Sequence, residues 1–280
     1  MSIIRADIYR IVRGKGLYIT LAVFVFIMIL QVVGGMNMNA GVDSSALDML
    51  EFDFSDFDFD DPNPGAFDIS ELFRAPTGRE AVVRAAGGTS NIMYILLPLV
   101  VFIGVTDFTS GSAKNVLAGG VSRGSYYFSK LLLSCIVCAA LLIVYFVFST
   151  IAATLWSGFG GAFDGEYLLG VAQIFLAQLL LCLAGACAAN FFVFLMRSGG
   201  FTGVFIAFLL VPAVLILGLS FISRRFEQLF EYELASNMAA AAGISSMTFG
   251  EITKMLLVGL CYIVISVAGG YAVFKRAEIK

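Results

Sequence analysis

Residues 131–156 read LLLSCIVCAALLIVYFVFSTIAATLW, without one charged side chain. Such a run fits the hydrocarbon of a bilayer, whose core of about 30 Å asks for roughly 20 apolar residues in a helix. Lipid offers the backbone no hydrogen-bond partner, so a crossing segment must pair its own amides, and this run is too long and too continuously apolar for a barrel strand. It predicts a transmembrane helix.

Five further blocks, 16–42, 85–106, 167–196, 198–223 and 255–274, are almost free of charge. Over 280 residues the chain is 60% hydrophobic and 13% charged, where ordinary soluble domains carry roughly 25% charged residues. The expected fold is an all-α polytopic membrane protein, one transmembrane domain over 1–280. Its six spans are placed at 17–35, 90–107, 131–156, 167–196, 201–222 and 252–274. An interfacial helix at 1–15, loops at 36–89, 108–130 and 223–250 and a tail at 275–280 complete it.

Orientation follows from Lys and Arg. With the amino terminus inside, the inner segments hold Arg5, Arg10, Arg13, Lys15, Lys114, Arg123, Lys130, Arg197, Lys275, Arg276 and Lys280, eleven of the seventeen basic residues. The positive-inside rule therefore predicts both termini in the cytoplasm. In segment 1–15, Ile4, Ile8 and Ile11 share a helical face opposite the arginines, the pattern of a helix lying along the inner interface. The run 17–33 exceeds a signal-peptide core and no A-x-A-like site follows it, so a retained span is expected.

Several chemistries are excluded. The chain has no His, which removes H-E-x-x-H metal sites and His-based triads. The stretch GGVSRGS at 119–125 has the glycine spacing of a P-loop but no Lys after Gly124. No ionisable residue stands clearly at mid-span, as ion-coupled transport would require. All five cysteines lie in predicted spans, where Cys135 and Cys138 read as small packing residues rather than a redox pair. An energy source must then come from elsewhere.

The inner loop after the second span reads DFTSGSAKNVLAGGVSRGSYYFSK, from Asp107 to Lys130. Thr109 or Ser110 can cap a short helix over about 111–118, Gly119 and Gly120 stop it, and Ser122 can cap the next helix, which continues into the third span. A carboxylate closing span two, then TSGSAKNVL, then GVSRGSYYFSK opening span three, resembles the permease subunits of ABC-2 type exporters. The bacitracin-resistance and lantibiotic-immunity permeases are the most similar group.

The resemblance extends to the amphipathic amino-terminal helix, the six spans, the large first outer loop and the short inner loop between spans four and five. It implies that the short helix is a coupling helix docking on a separate ABC ATPase subunit. Asp107, Gly111, Lys114, Asn115, Arg123 and Lys130 are then the coupling positions. It also implies no catalytic residue or cofactor in this chain, with ATP and Mg on the partner, and a second copy or related permease completing the route. The setting it implies is the plasma membrane of a bacterium. No nucleic-acid partner is expected.

Gln173, Gln178 and Asn190, among the small residues of span four, mark a helix that faces protein, either as interhelical glue or along a pathway. The loop 36–89 carries the run EFDFSDFDFDD at 51–61. Alternation of Phe and carboxylate predicts an extended segment bulged near Ser55. An EF-hand fails, because Asp61 and Phe67 occupy the positions of its required Gly and Glu. Two readings stand: a solvated outer loop, or a platform of Phe52, Asp53, Phe54, Asp56, Phe57, Asp58, Phe59 and Asp60 that attracts cationic amphipathic peptides. Residues 69–84 are expected to be helical but broken near Pro76 and Gly78. Other cargoes (lipid, drug or endogenous peptide) and a non-transporting sensor or membrane enzyme are the alternatives to peptide export.

Overall fold

The structure is a computed structural model that describes residues 76–197 and 224–276 without interruption, with shorter stretches at 8–9, 13, 18, 21–26, 28–29, 211 and 214–219. Among the described residues there is no strand. Helix α1 spans Gly78–Thr109, α2 Ser112–Ala118, α3 Arg123–Ser157 and α4 Gly165–Met196. A 3₁₀ turn over Arg224–Tyr232 leads to α5, Leu234–Ala240, a second 3₁₀ turn over Ala241–Ser246, and α6, Phe249–Arg276. Three of these helices, α3, α4 and α6, are long and apolar enough to cross a membrane. They contain the predicted spans three, four and six.

Helix α1 begins at Gly78, ahead of the expected span start at 90, and Pro76 and Thr77 just before it are not helical; residues 69–75 lie outside the described residues. Thr77-Gly-Arg-Glu80 is a capping box: the Glu80 amide donates to Thr77 Oγ1 at 3.4 Å and the Thr77 amide to Glu80 Oε2 at 3.1 Å. Gly78 is therefore the first residue of the helix, and its role is steric. A Cβ there would lie 2.0 Å from Thr154 Oγ1. Without it, the Gly78 and Arg79 amides reach the carbonyls of Gly158 and Phe159 at 2.9 and 3.0 Å, so the loop after α3 satisfies two amides that a helix start leaves orphaned.

The other long helices start on side-chain caps as well. Ser122 Oγ accepts from the Ser125 amide at 3.1 Å, Asp164 Oδ1 from Tyr167 at 2.9 Å, and Thr248 Oγ1 from Glu251 at 3.4 Å. Helix α4 is central and packs on α1, α3 and α6. Its run of small residues, buried from Ala184 to Ala189, permits the close approach. Gly259 and Gly269 of α6 pass Leu181 and Phe191 of α4 where a Cβ would be 3.3 and 3.2 Å from those side chains.

The segment 234–246 folds back into the bundle, with Leu234, Met238, Ala241 and Ile244 buried in the core beside Met93 and Leu181. From the first predicted span, Phe24 and Met28 are helical and join the same core, Phe24 meeting Tyr145 at 6.3 Å between ring centroids. In the amino-terminal segment Ile8, Tyr9 and Arg13 are helical, as are Val211 and residues 214–219 of the fifth predicted span. The Phe and Asp residues of 51–61 lie outside the described residues.

The bundle has two electrostatically distinct ends. Around Asp107 gather Lys114, Arg123, Lys130, Arg197, Lys275 and Arg276. Among the described residues, the end around Thr77 carries Glu80, Asp164, Glu166, Glu231, Glu233 and Glu251 together with Arg79, Arg84 and Lys254.

Candidate functional site

The end of α1, the short α2 and the start of α3 form a compact unit around one carboxylate. Asp107, in the last turn of α1, is 3% exposed. Its Oδ1 accepts a hydrogen bond from Ser112 Oγ at 3.0 Å and its Oδ2 one from Tyr126 OH at 2.7 Å. Oδ2 also forms an ion pair with Lys130 Nζ, and the Lys130 ammonium lies 5.5 Å from the centroid of the Tyr126 ring. Lys130 and Tyr126 are both sealed from solvent, at 0% exposure. One carboxylate thus ties α1 to α2 through Ser112 and to α3 through Tyr126 and Lys130.

Local sequence explains this geometry. Gly111 takes a left-handed φ of 70° and reverses the chain out of α1, a conformation that costs a residue with a Cβ about 1–2 kcal/mol. It caps α2 without a side chain. That differs from the expected cap at Thr109 or Ser110, and the reason lies in the hydroxyls: Ser110 Oγ donates to Ser112 Oγ at 3.1 Å, and Ser112 points back to Asp107. Gly119 ends α2, and Gly120, at a φ of 89°, turns the chain toward Ser122 and α3.

Beneath α2 lies an aromatic floor. Phe108, Tyr126, Tyr127, Phe194 and Phe274 meet mostly edge to face, with Phe108–Phe194 at 5.6 Å and Phe194–Phe274 at 4.8 Å between centroids. Ala113 is buried against this cluster, and Val116 and Leu117 pack beside it. Lys114, Asn115 and Ala118 are left on the outward face, all exposed.

Arg123 closes the arrangement from the side. Its guanidinium donates to the carbonyls of Lys275 at 2.8 Å and Phe274 at 3.5 Å, the last turn of α6, where a cation also complements the helix dipole. Between α2 and the start of α3 runs an open groove of about 470 Å³, lined by Lys114, Leu117, Ala118, Val121, Ser122 and Arg123. Its walls offer two cationic side chains, a hydroxyl and short apolar patches to a partner.

The six positions implied by the resemblance are brought to one end of the bundle but divide into two kinds. Lys114, Asn115 and Arg123 are on the surface, and Gly111 is the hinge. Asp107 and Lys130 are buried and face each other, so their part is to hold α2 in place rather than to touch a docked protein. Ser112 and Tyr126 belong to the same cluster and were missed. Tyr126 stands one turn before Lys130, on the same face of α3, and that i, i+4 spacing is the signal that could have found it.

The span-four polar residues divide similarly. Gln178 Nε2 donates to Ala86 O of α1 at 3.0 Å and to Met238 O of α5 at 2.6 Å. Asn190 Nδ2 donates to Ala186 O at 2.9 Å, and its Oδ1 accepts from Ser134 Oγ of α3 at 3.3 Å. Both are buried interhelical ties, whereas Gln173 is exposed. The free cysteines Cys138, Cys182 and Cys187 are buried between α3 and α4, with Cys138 Sγ 3.6 Å from Cys182 O.

No protein-family model matches the chain, and no curated protein matches it.

Proposed function

We propose that this chain is the membrane-spanning permease subunit of an ATP-driven exporter of the ABC-2 type, with ATP and Mg bound by a separate ATPase subunit. The observation that carries the reading is the Asp107 cluster. A seven-residue helix with exposed Lys114 and Asn115 is fixed by one buried carboxylate to two long helices at the cation-rich end of the bundle. Such a helix is a lever: a partner that moves α2 must move α1 and α3 with it, because shifting α2 alone would break the Ser112 hydrogen bond to the buried Asp107 and pull Ala113 out of the aromatic cluster.

By the positive-inside rule the Asp107 end faces the cytoplasm, where ATP is available. Closure of the ATPases would then push α2 and switch the interface between this chain and a second permease copy, or a related one, from inward to outward access. The setting is a bacterial plasma membrane with both termini cytoplasmic. The cargo class favoured is a cationic amphipathic peptide, on the strength of the interleaved Phe and Asp at 51–61; a lipid or drug cargo would use the same lever.

The test replaces Lys114 with Glu and Asn115 with Arg, separately, and measures co-purification of the ATPase subunit and export-dependent resistance. Folded variants that lose both support the reading; folded variants that keep both refute it.

A further inference from the structure

From the structure we infer that the end of α3 and the loop after it form a membrane-interface anchor, in which Trp156 and Phe163 insert at the headgroup level of the outer leaflet. The inference rests on the reading that α3 crosses a bilayer, and it adds a binding surface whose ligand is the lipid interface. It begins from a stripe on α3. Phe128, Leu132, Ile136, Val147, Ile151 and Leu155 are all at least half exposed and form a stripe that winds slowly round α3 along its length, with no charged residue beyond Lys130. A stripe that large and apolar on a helix of this length belongs against acyl chains.

Length then places its ends. From Phe128 to Trp156 an α-helix rises about 42 Å at 1.5 Å per residue, which equals the thickness of a bilayer with its headgroup regions, about 40–45 Å. If Phe128 lies at the inner interface, Trp156 lies at the outer one. The chemistry changes at that level. Leu155 is 84% exposed, Trp156 71% and Phe163 69%, while Asp164 follows immediately with its carboxylate 4.0 Å from the Arg79 guanidinium. The amphipathic Trp156 ring beside the first charges is what the interface selects, because the ring partitions among headgroups while the indole N–H and charged neighbours stay wet, and Phe163 adds apolar area at the same level.

The loop is built to present these rings. Phe159, Phe163 and Tyr167 form a contiguous trio with centroids 5.5 to 5.9 Å apart, and Arg79 lies 5.2 Å over the Tyr167 ring. The loop is tied to α1 by the Gly78 and Arg79 amides, and Gly160, at a φ of 80°, passes Thr77 where a Cβ would be 2.5 Å from Thr77 Cβ. A fixed loop with outward rings sets the depth of the whole bundle.

Trp156 is the sole tryptophan of the chain, so the native protein carries its own probe. The full chain is reconstituted in phosphatidylcholine vesicles containing lipids brominated either near the headgroup or near the chain ends, and vesicles are floated before fluorescence is read. Expected are emission blue-shifted from that of water-exposed tryptophan and stronger quenching by the shallow bromines than by the deep ones. Absence of bromolipid quenching in floating vesicles overturns the anchor while leaving the membrane reading intact: water-like emission then means that the loop stands in water, and blue-shifted emission that a second copy covers it. Dominant quenching by the deep bromines overturns it too, since α3 would then end inside the hydrocarbon. A chain that does not float with the vesicles overturns both readings.

Discussion

The Lys130 ammonium is paired with the Asp107 carboxylate in a site from which solvent is excluded on both sides. Two charges moved out of water carry a desolvation cost of several kcal/mol per ion, offset only when geometry and extra hydrogen bonds are good. Here Ser112 and Tyr126 supply those bonds. Removing one partner leaves the other buried and uncompensated. Asp107→Ala and Lys130→Met should each destabilise the protein by about 3–5 kcal/mol, whereas the double variant Asp107→Leu/Lys130→Met should recover most of that loss. Thermal unfolding in detergent, read as a double-mutant cycle, checks it.

Tyr126→Phe separates the hydrogen bond from the ring. The aromatic contacts with Phe194 and Phe274 stay, while the donor to Asp107 is lost, at about 1.5–3 kcal/mol for a bond to a charged group. The same variant should leave α2 less firmly attached, so amide exchange over residues 112–118 should accelerate more than exchange in the middle of α4.

Gln178 joins α1 and α5 with one amide nitrogen. Gln178→Leu removes the donor that two carbonyls share, at about 0.5–1.5 kcal/mol for each lost bond. Its effect should be local to the segment that the amide anchors: amide exchange across 234–246 rises, and exchange at 112–118 does not. Equal acceleration in both segments would contradict the assignment of Gln178 as a local tie between α4, α1 and α5.

The loop glycines make a matched pair. Gly158 and Gly160 both have a positive φ, but a Cβ on Gly158 meets nothing within 4 Å and one on Gly160 meets Thr77. At φ 77° and ψ 172° Gly158 occupies a region essentially reserved for glycine, so Gly158→Ala should cost about 1–3 kcal/mol, and Gly160→Ala, whose added Cβ also collides with Thr77, should cost at least as much. Denaturation of the two purified variants side by side gives the ordering.

What the residues disclose in advance follows from how local each signal is. Spans three, four and six are written in long, largely apolar runs almost free of charge. The stop at Gly119 and the start at Ser122 are written in single caps. The interhelical use of Gln178 and Asn190 follows because an amide inside an apolar helix must find a partner. The start of α1 is written in Pro76, which does not continue a helix, and in Thr77 and Glu80, which form a capping box one turn apart. Asp107 and Lys130 were both recognised as belonging to the loop, but their burial was not, since they meet only after α2 has folded between them. Nothing in the linear order distinguishes that pair from the exposed Lys114.

The central claim is that α2 docks a nucleotide-hydrolysing partner, and it is tested most directly on the complex itself. The tagged chain is purified from its native membranes in mild detergent, beside the Lys114→Glu variant, and ATP hydrolysis and subunit composition are read in both fractions. Lys114 is exposed, so the substitution should change folding stability by no more than about 0.5 kcal/mol. The account predicts a P-loop subunit and ATP hydrolysis with the native chain, and loss of both from the folded variant. A native fraction without such a subunit, or a variant that retains it fully, would contradict the account.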